Sequence, residues 1–126
     1  MRQQVRSGSP YEQRFGFSRA VRDGDLIHVA GTAPIWPDGS CDPDPEAQAD
    51  RCFEIIAEAL AGLDSGLGDV VRTRMYLTDP AHAEAVGRAH ARAVGPAGPA
   101  ATMVVVAGLL DDRWLVEIEA DAAVRR

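Results

Sequence analysis

The order of apolar and polar residues along the chain switches between a period of two, typical of strands, and a period near 3.6, typical of helices. Two apolar-rich runs, 17–22 and 25–30, flank Asp23-Gly24, a dipeptide that favours tight hairpin turns. The pattern therefore predicts a β-hairpin, which follows a polar N-terminal arm over residues 1–14.

Two later stretches have the helical period. In the first, an apolar stripe runs from Ala49 to Leu63 behind Asp44-Pro45, where a carboxylate can accept backbone hydrogen bonds and proline suits the first helical position. This helix is predicted to stop near Gly66.

The second helical stretch is rich in alanine, starts after Asp79-Pro80 and ends at the glycine- and proline-rich segment 95–101. In three further runs, apolar and polar residues alternate or all residues are apolar, and both patterns are typical of strands. These predicted strands span residues 70–77, 103–107 and 115–122.

The resulting element order, β-β-α-β-α-β-β over residues 1–126, predicts a single α+β domain with two helices on one face of a sheet. Two helices cover only one face, yet strand 103–107 is apolar on both sides, as in strands that are buried on both faces. We therefore expect sister copies to cover the other face, so that the protein is a homo-oligomer.

The amino-acid composition excludes several classes of function. The chain has 126 residues and a formal charge of −6, and its 13 basic residues are all arginines. Without lysine there is no Schiff-base or pyridoxal phosphate site and no P-loop. The acidic balance disfavours nucleic acid as a partner. With no membrane-length apolar run and only two cysteines, we expect a cytoplasmic protein that does not bind membranes.

Carboxylates and arginines mark two of the predicted strands. Glu117, Glu119 and Asp121 alternate along the last strand and share one face, while Arg72 and Arg74 share a face of strand 70–77. A carboxylate beside such a cation stays ionised and can orient water or act as a base. The alternative interpretation is a solvated charged edge.

The chain offers no recognisable metal or cofactor site. His82 and His90 are eight residues apart, which on a helix means ~12 Å of rise, too far for one ion to bridge. The serines lack the strand–turn–helix elbow of nucleophilic hydrolases. We therefore expect neither a metal nor a cofactor.

Five segments follow one another along the chain: Ala30-Gly31-Thr32-Ala33-Pro34, Gln48, the run from Asp69 to Asp79, Pro99-Ala100-Ala101-Thr102, and Val116-Glu117-Ile118-Glu119-Ala120. Together and in this order they resemble the RidA/YjgF family, which is also labelled endoribonuclease L-PSP or reactive intermediate deaminase. The resemblance spans roughly residues 15–124.

The resemblance implies a chorismate-mutase-like subunit with a mixed sheet, assembled as a homotrimer with three clefts at the subunit interfaces. In the best-known branch these clefts hydrolyse 2-imino or enamine acids to 2-oxo acids and ammonia without a cofactor. A loop arginine there binds the substrate carboxylate, a tyrosine lines the site, and a glutamate orients water. This chain has Ala101, Phe17 and Glu117 at those positions, and Gly87 in place of an asparagine.

Two functions remain open. One is a divergent 2-iminobutanoate/2-iminopropanoate deaminase-like hydrolase, in which Glu117 is catalytic and Arg74 or Arg19 anchors a small-molecule substrate. The other is a non-catalytic homotrimer that binds a small metabolite in a more apolar pocket. A ribonuclease is disfavoured by the acidic balance and by the absence of paired histidines. The predicted ligand-binding residues are Phe17, Arg19, Gly31, Thr32, Arg74, Ala101 and Thr102.

Overall fold

The computed structural model describes residues 2–125. Its strands are β1 (Arg2–Val5), β2 (Ala20–Asp23), β3 (Leu26–Thr32), β4 (Val70–Leu77), β5 (Ala100–Val105) and β6 (Val116–Ala123). Its helices are α1 (Pro10–Phe15), α2 (Pro45–Ala61) and α3 (Ala83–Val94), with single 3₁₀ turns at Leu67–Asp69 and Pro80–His82. The strands form one sheet in the order β1-β2-β3-β6-β4-β5. Only β4 and β5 are parallel, so the sheet is mixed.

The predicted α+β architecture is confirmed, because α2 and α3 lie on one face of the sheet. The apolar stripe of α2 is buried against side chains from β3, β4 and β6. Across the two helices, Arg92 binds Glu46 and Asp50 at 2.6 and 3.0 Å. The fully buried apolar side chains include Ile27, Ile56, Leu60, Met75, Leu77, Val116 and Ile118. None of the helices described is long and apolar enough to cross a membrane.

The N-terminal segment, predicted as a polar arm, contains a strand and a helix in its described part. β1 adds to the edge of the sheet by pairing with β2, which needs only backbone hydrogen bonds. Ser9 caps α1 by accepting a hydrogen bond from the Tyr11 amide, and Pro10 occupies the first turn. Because β1 is exposed along most of its length, its sequence carries no apolar alternation.

Three predicted boundaries are wrong by a few residues. The hairpin turn is Gly24-Asp25 rather than Asp23-Gly24, since the first central position requires the positive φ of 64° that Gly24 adopts. Helix α2 ends at Ala61 rather than near Gly66, because the chain turns through Asp64 with φ of 58°. Strand β5 begins at Ala100 rather than at 103, where its parallel pairing with β4 starts.

The sheet face opposite the helices is polar, and it is called the open face here. Alternation along β4 and β6 puts one set of side chains into the core and the other on this face. The open face is defined by His28, Arg72, Arg74, Tyr76, Thr102, Val104, Glu117, Glu119 and Asp121.

Candidate functional site

A network of charged and polar side chains crosses the open face. Arg74 lies between two carboxylates of β6, with Nη1 3.1 Å from Asp121 and 3.7 Å from Glu119. Asp121 also contacts His28 Nδ1 at 2.7 Å, and the Tyr76 hydroxyl donates to Glu119 at 2.7 Å. The predicted meeting of arginines and carboxylates on one face therefore occurs. Since these groups are partly exposed, each ion pair contributes less than about 1 kcal/mol.

Glu117 lies at the end of this network in a different environment. Its half-buried side chain rests against Gly31, where an added Cβ would overlap Glu117 Oε2. Burial raises the pKa of Glu117, the positive charge of Arg19 lowers it, and Glu119 raises it further. The burial effect dominates. A carboxyl group with a raised pKa exchanges a proton near neutral pH more readily than an ordinary one.

Arg19, predicted to anchor a ligand, is bound to the protein's own backbone. Its Nη2 donates to the carbonyl oxygens of Ala30 and Gly31, both at 2.6 Å. Its Nε is buried and has no hydrogen-bond partner among the described residues. Burial lowers the pKa of Arg19, whereas Glu12 and Glu117 raise it. The guanidinium is thus held beside Glu117 rather than extended toward solvent.

The remaining predicted ligand-binding residues fall on both sides of the sheet. Thr102 lies on the open face and accepts a hydrogen bond from Arg72 at 3.0 Å. Thr32 is buried, and its hydroxyl donates to Ala30 at 2.8 Å. Ala101 pairs in register with the buried Thr73 and so shares the helix-facing side of the edge strand β5, where it is exposed. Thr32 and Ala101 therefore do not join the open-face set.

Phe17 lines a groove of about 400 Å³ on the open-face side of the sheet, between the N-terminal segment and β6. The ring is 41% exposed. The groove's walls also include Arg6 from the N-terminal segment and Glu119 from β6. Phe17 is therefore placed to contact a small molecule that enters beside the carboxylates.

Two participants on the open face are not among the predicted site residues. His28 is exposed and contacts Asp121. Tyr76 hydrogen-bonds Glu119, and this bond raises the pKa of Tyr76. Both residues occupy open-face positions of the period-two pattern, which was the available signal.

Replacing Gly31 with alanine is expected to move Glu117 without unfolding the chain. The new Cβ would displace the carboxylate, and a flexible side chain can move at little cost. We expect roughly tenfold weaker ligand binding or turnover, since small displacements of reacting groups have effects of this size. Gly68→Ala is the matched control, because no atom lies within 4 Å of its added Cβ. Equal effects from both substitutions would contradict the role given to Gly31.

Comparison with known proteins relates this arrangement to a family. The model of the family described as Endoribonuclease L-PSP matches residues 10–124. An uncharacterised protein of Streptomyces coelicolor is 41% identical over 94% of this chain and 89% of its own length. A RutC family protein of Pyrococcus abyssi is 32% identical, over 84% of each chain.

A solved structure gives the same result for the fold. Rv2704 of Mycobacterium tuberculosis, described as a member of the YjgF/YER057c/UK114 family, superposes with a TM-score of 0.90 at 44% identity. The match covers 98% of this chain and 100% of that one. The fold is therefore that of a small α+β protein of the chorismate-mutase-like class. The chain belongs to the RidA/YjgF family.

Proposed function

We propose that this protein is a cofactor-free hydrolase that deaminates a small imine or enamine metabolite, in clefts that form between three copies of the chain. The observation that carries the proposal is Glu117. It is half-buried against Gly31, its pKa is raised by burial, and Arg19 provides a positive charge nearby. Such a carboxylate can take a proton from water and return it later in the same turnover.

The chemistry needs only this one acid–base group. Ionised Glu117 accepts a proton from a water molecule while the water oxygen bonds to the imine carbon. Glu117 passes this proton to the nitrogen, which completes a carbinolamine. The ionised carboxylate then takes the hydroxyl proton as the carbon–oxygen double bond forms, and it delivers that proton to the nitrogen as ammonia leaves. An imine and water are consumed, and a carbonyl compound and ammonia are produced.

Two features support assembly into a trimer. The open face carries a row of partly exposed charges that other copies could shield. The edge strand β5 exposes Val104 and Val105 at 43% and 53%, and an apolar edge strand left open invites pairing or aggregation. A neighbouring copy placed here would protect this edge and enclose ligand sites beside the open face.

The second candidate function is non-catalytic binding of a small metabolite by the same homotrimer. It is favoured by the state of the two arginines predicted to hold a substrate carboxylate. Arg19 is bound to two carbonyl groups, and Arg74 pairs with Asp121 and Glu119. With Ala101 uncharged, a carboxylate ligand would have to compete for cations already engaged.

Ammonia release from freshly generated 2-aminoacrylate distinguishes the two functions, with wild type compared with Ala101→Arg. A hydrolase accelerates ammonia release without any substitution. Ala101 is on the helix-facing side of β5, so an arginine there raises the rate further only where a cleft between copies brings it to the substrate carboxylate. The gain can range from ~30-fold to several thousand-fold, because removing one partner of a buried charge-assisted pair costs ~2–5 kcal/mol and restoring that partner reverses the cost. Acceleration by the variant alone favours binding, and no acceleration by either protein contradicts the hydrolase.

A further inference from the structure

We propose that Arg19 is a positioning residue for Glu117: it holds the backbone of Ala30 and Gly31 on which the glutamate rests, and it supplies the positive charge beside that carboxylate. This role differs from the substrate contact expected from the sequence. Its kinetic consequence rests on the proposed function, whereas its effect on Glu117 itself does not.

The first step of the argument is the irregular path of β3. Val29 pairs with Ala120, but the next pair in register is Thr32 with Ile118, so the ladder shifts between them. Within this shift Arg19 Nη2 binds the carbonyl oxygens of both intervening residues at 2.6 Å. One guanidinium nitrogen therefore fixes the orientation of the segment that contains Gly31.

Arg19 is itself held by its backbone. Its amide donates to the Val5 carbonyl at 2.8 Å, and its carbonyl accepts from the Ala30 amide at 3.0 Å. These bonds connect it to both neighbouring strands, so its side chain starts from a fixed point. A fixed backbone matters because immobilising a long arginine side chain costs rotamer entropy.

The second step is electrostatic. Four titratable groups interact with Glu117 itself: Arg19, Glu119 on the same strand, Tyr76 opposite it on β4, and Cys52 on α2. Burial raises the pKa of Cys52, so that thiol is neutral at physiological pH. Hydrogen bonding to Glu119 raises the pKa of Tyr76, which is therefore neutral as well. Of these groups, Arg19 alone favours the ionised form of Glu117.

The third step links the N-terminal segment to the site. Glu12 in α1 is buried, accepts hydrogen bonds from the Ser7 amide at 3.1 and 3.2 Å, and also binds the Ser7 hydroxyl. Its negative charge favours the charged form of Arg19. The guanidinium thus interacts electrostatically with both a buried carboxylate of α1 and Glu117, so α1 contributes to the charge environment of the site.

The test follows the Glu117 carboxyl by NMR titration in wild type, Arg19→Gln and Arg22→Gln. Arg22 is the matched control: it lies on β2 and also binds backbone carbonyls, Leu63 at 2.6 Å and Gly24 at 2.9 Å. Losing the cation at position 19 should move the Glu117 midpoint upward, and the control should leave it unchanged. A midpoint that Arg19→Gln does not move, or that both variants move equally, overturns the proposal.

If Arg19→Gln does not fold, the Glu117 titration is measured in Glu12→Gln instead. Arginine stays protonated without Glu12, and removing this negative charge makes the net field at Glu117 more positive, so the midpoint should fall. An unchanged or higher midpoint overturns the proposal. Arg19→Lys adds a separate readout: it keeps the charge but not the guanidinium's pair of bonds, so the midpoint should stay close to wild type.

Turnover separates failure of this inference from failure of the proposed function. In a working hydrolase, Arg19→Gln should shift the acid limb of the kcat/KM profile upward in pH, in step with the titration, and reduce the rate roughly 10- to 100-fold. No turnover by the wild type rejects the proposed function and leaves the titration to decide about Arg19. If the wild type turns over its substrate but Arg19→Gln leaves the Glu117 midpoint unmoved, the role of Arg19 is rejected and the proposed function stands.

Discussion

Glu117→Gln is expected to slow ammonia release by at least about 100-fold, the usual contribution of a positioned acid–base group. Glutamine keeps the shape of the side chain against Gly31 but cannot accept a proton from water. Steady-state ammonia release measures the loss. Glu58→Gln, at an exposed position of α2, is the control and should retain the wild-type rate. A Glu117→Gln variant with more than a third of the wild-type rate would contradict the catalytic role.

The same substitution should make the fold more stable at neutral pH. Burial raises the pKa of Glu117, so the folded state binds its proton more tightly than the unfolded chain does. Ionising Glu117 therefore costs the folded state free energy that the unfolded chain does not lose, and this cost is the penalty. Below the unfolded pKa Glu117 is protonated in both states, so the penalty is absent. The penalty grows as pH rises from the unfolded toward the folded pKa, and is complete above it. Urea unfolding should therefore show a gain for Glu117→Gln at pH 7 that disappears in acid. Lower stability at pH 7 would contradict this account.

Gln48→Ala is expected to cause a large loss of stability. Gln48 is fully buried at the start of α2, and its Nε2 donates to the carbonyls of Asp42 and Arg113 at 2.7 and 2.8 Å. Its Oε1 accepts from the Leu115 amide at 2.7 Å. The side chain thus connects the loop before α2 with the loop before β6. Each buried backbone group left without a partner costs about 1–3 kcal/mol.

We expect the free energy of unfolding to fall by about 2–4 kcal/mol, since water can replace part of these bonds in the two loops. Urea unfolding followed by far-UV circular dichroism measures the change. Gln13→Ala, at an exposed position of α1, is the control and should change stability by less than about 0.5 kcal/mol. A Gln48 variant within that same range would show that the two loops are held by other contacts.

The core elements could be predicted because their side chains are buried on one side. The stripe from Ala49 to Leu60 and the alternation from Val116 to Ala122 follow directly from which positions lie against the core. β1 could not be predicted in this way, because its pairing with β2 uses backbone groups and its side chains are mostly exposed. Periodicity reports burial, so elements without a buried face leave no pattern.

The part of the candidate site that lies on regular strands could be predicted in the same way, and the part at the irregular segment of β3 could not. Alternation grouped Glu117 with the other carboxylates on one face of the last strand, and Arg74 with Arg72 on one face of β4. The pairing of the two strands brings these faces together in the structure. The position of the Arg19 side chain depends on a register shift in β3, because the two carbonyl groups that it binds lie within that shift. Thr32 turns inward beyond that same shift. A local irregularity of this kind has no period and no composition of its own, so the sequence does not reveal it.

Sedimentation at micromolar concentration tests the central claim, that sister copies cover the open face and enclose Glu117. The account predicts a species of three times the 13.5 kDa chain mass, about 40 kDa. A particle that sediments as a 13.5 kDa monomer would leave the exposed part of Glu117 and the neighbouring charges open to bulk water, and would contradict the account.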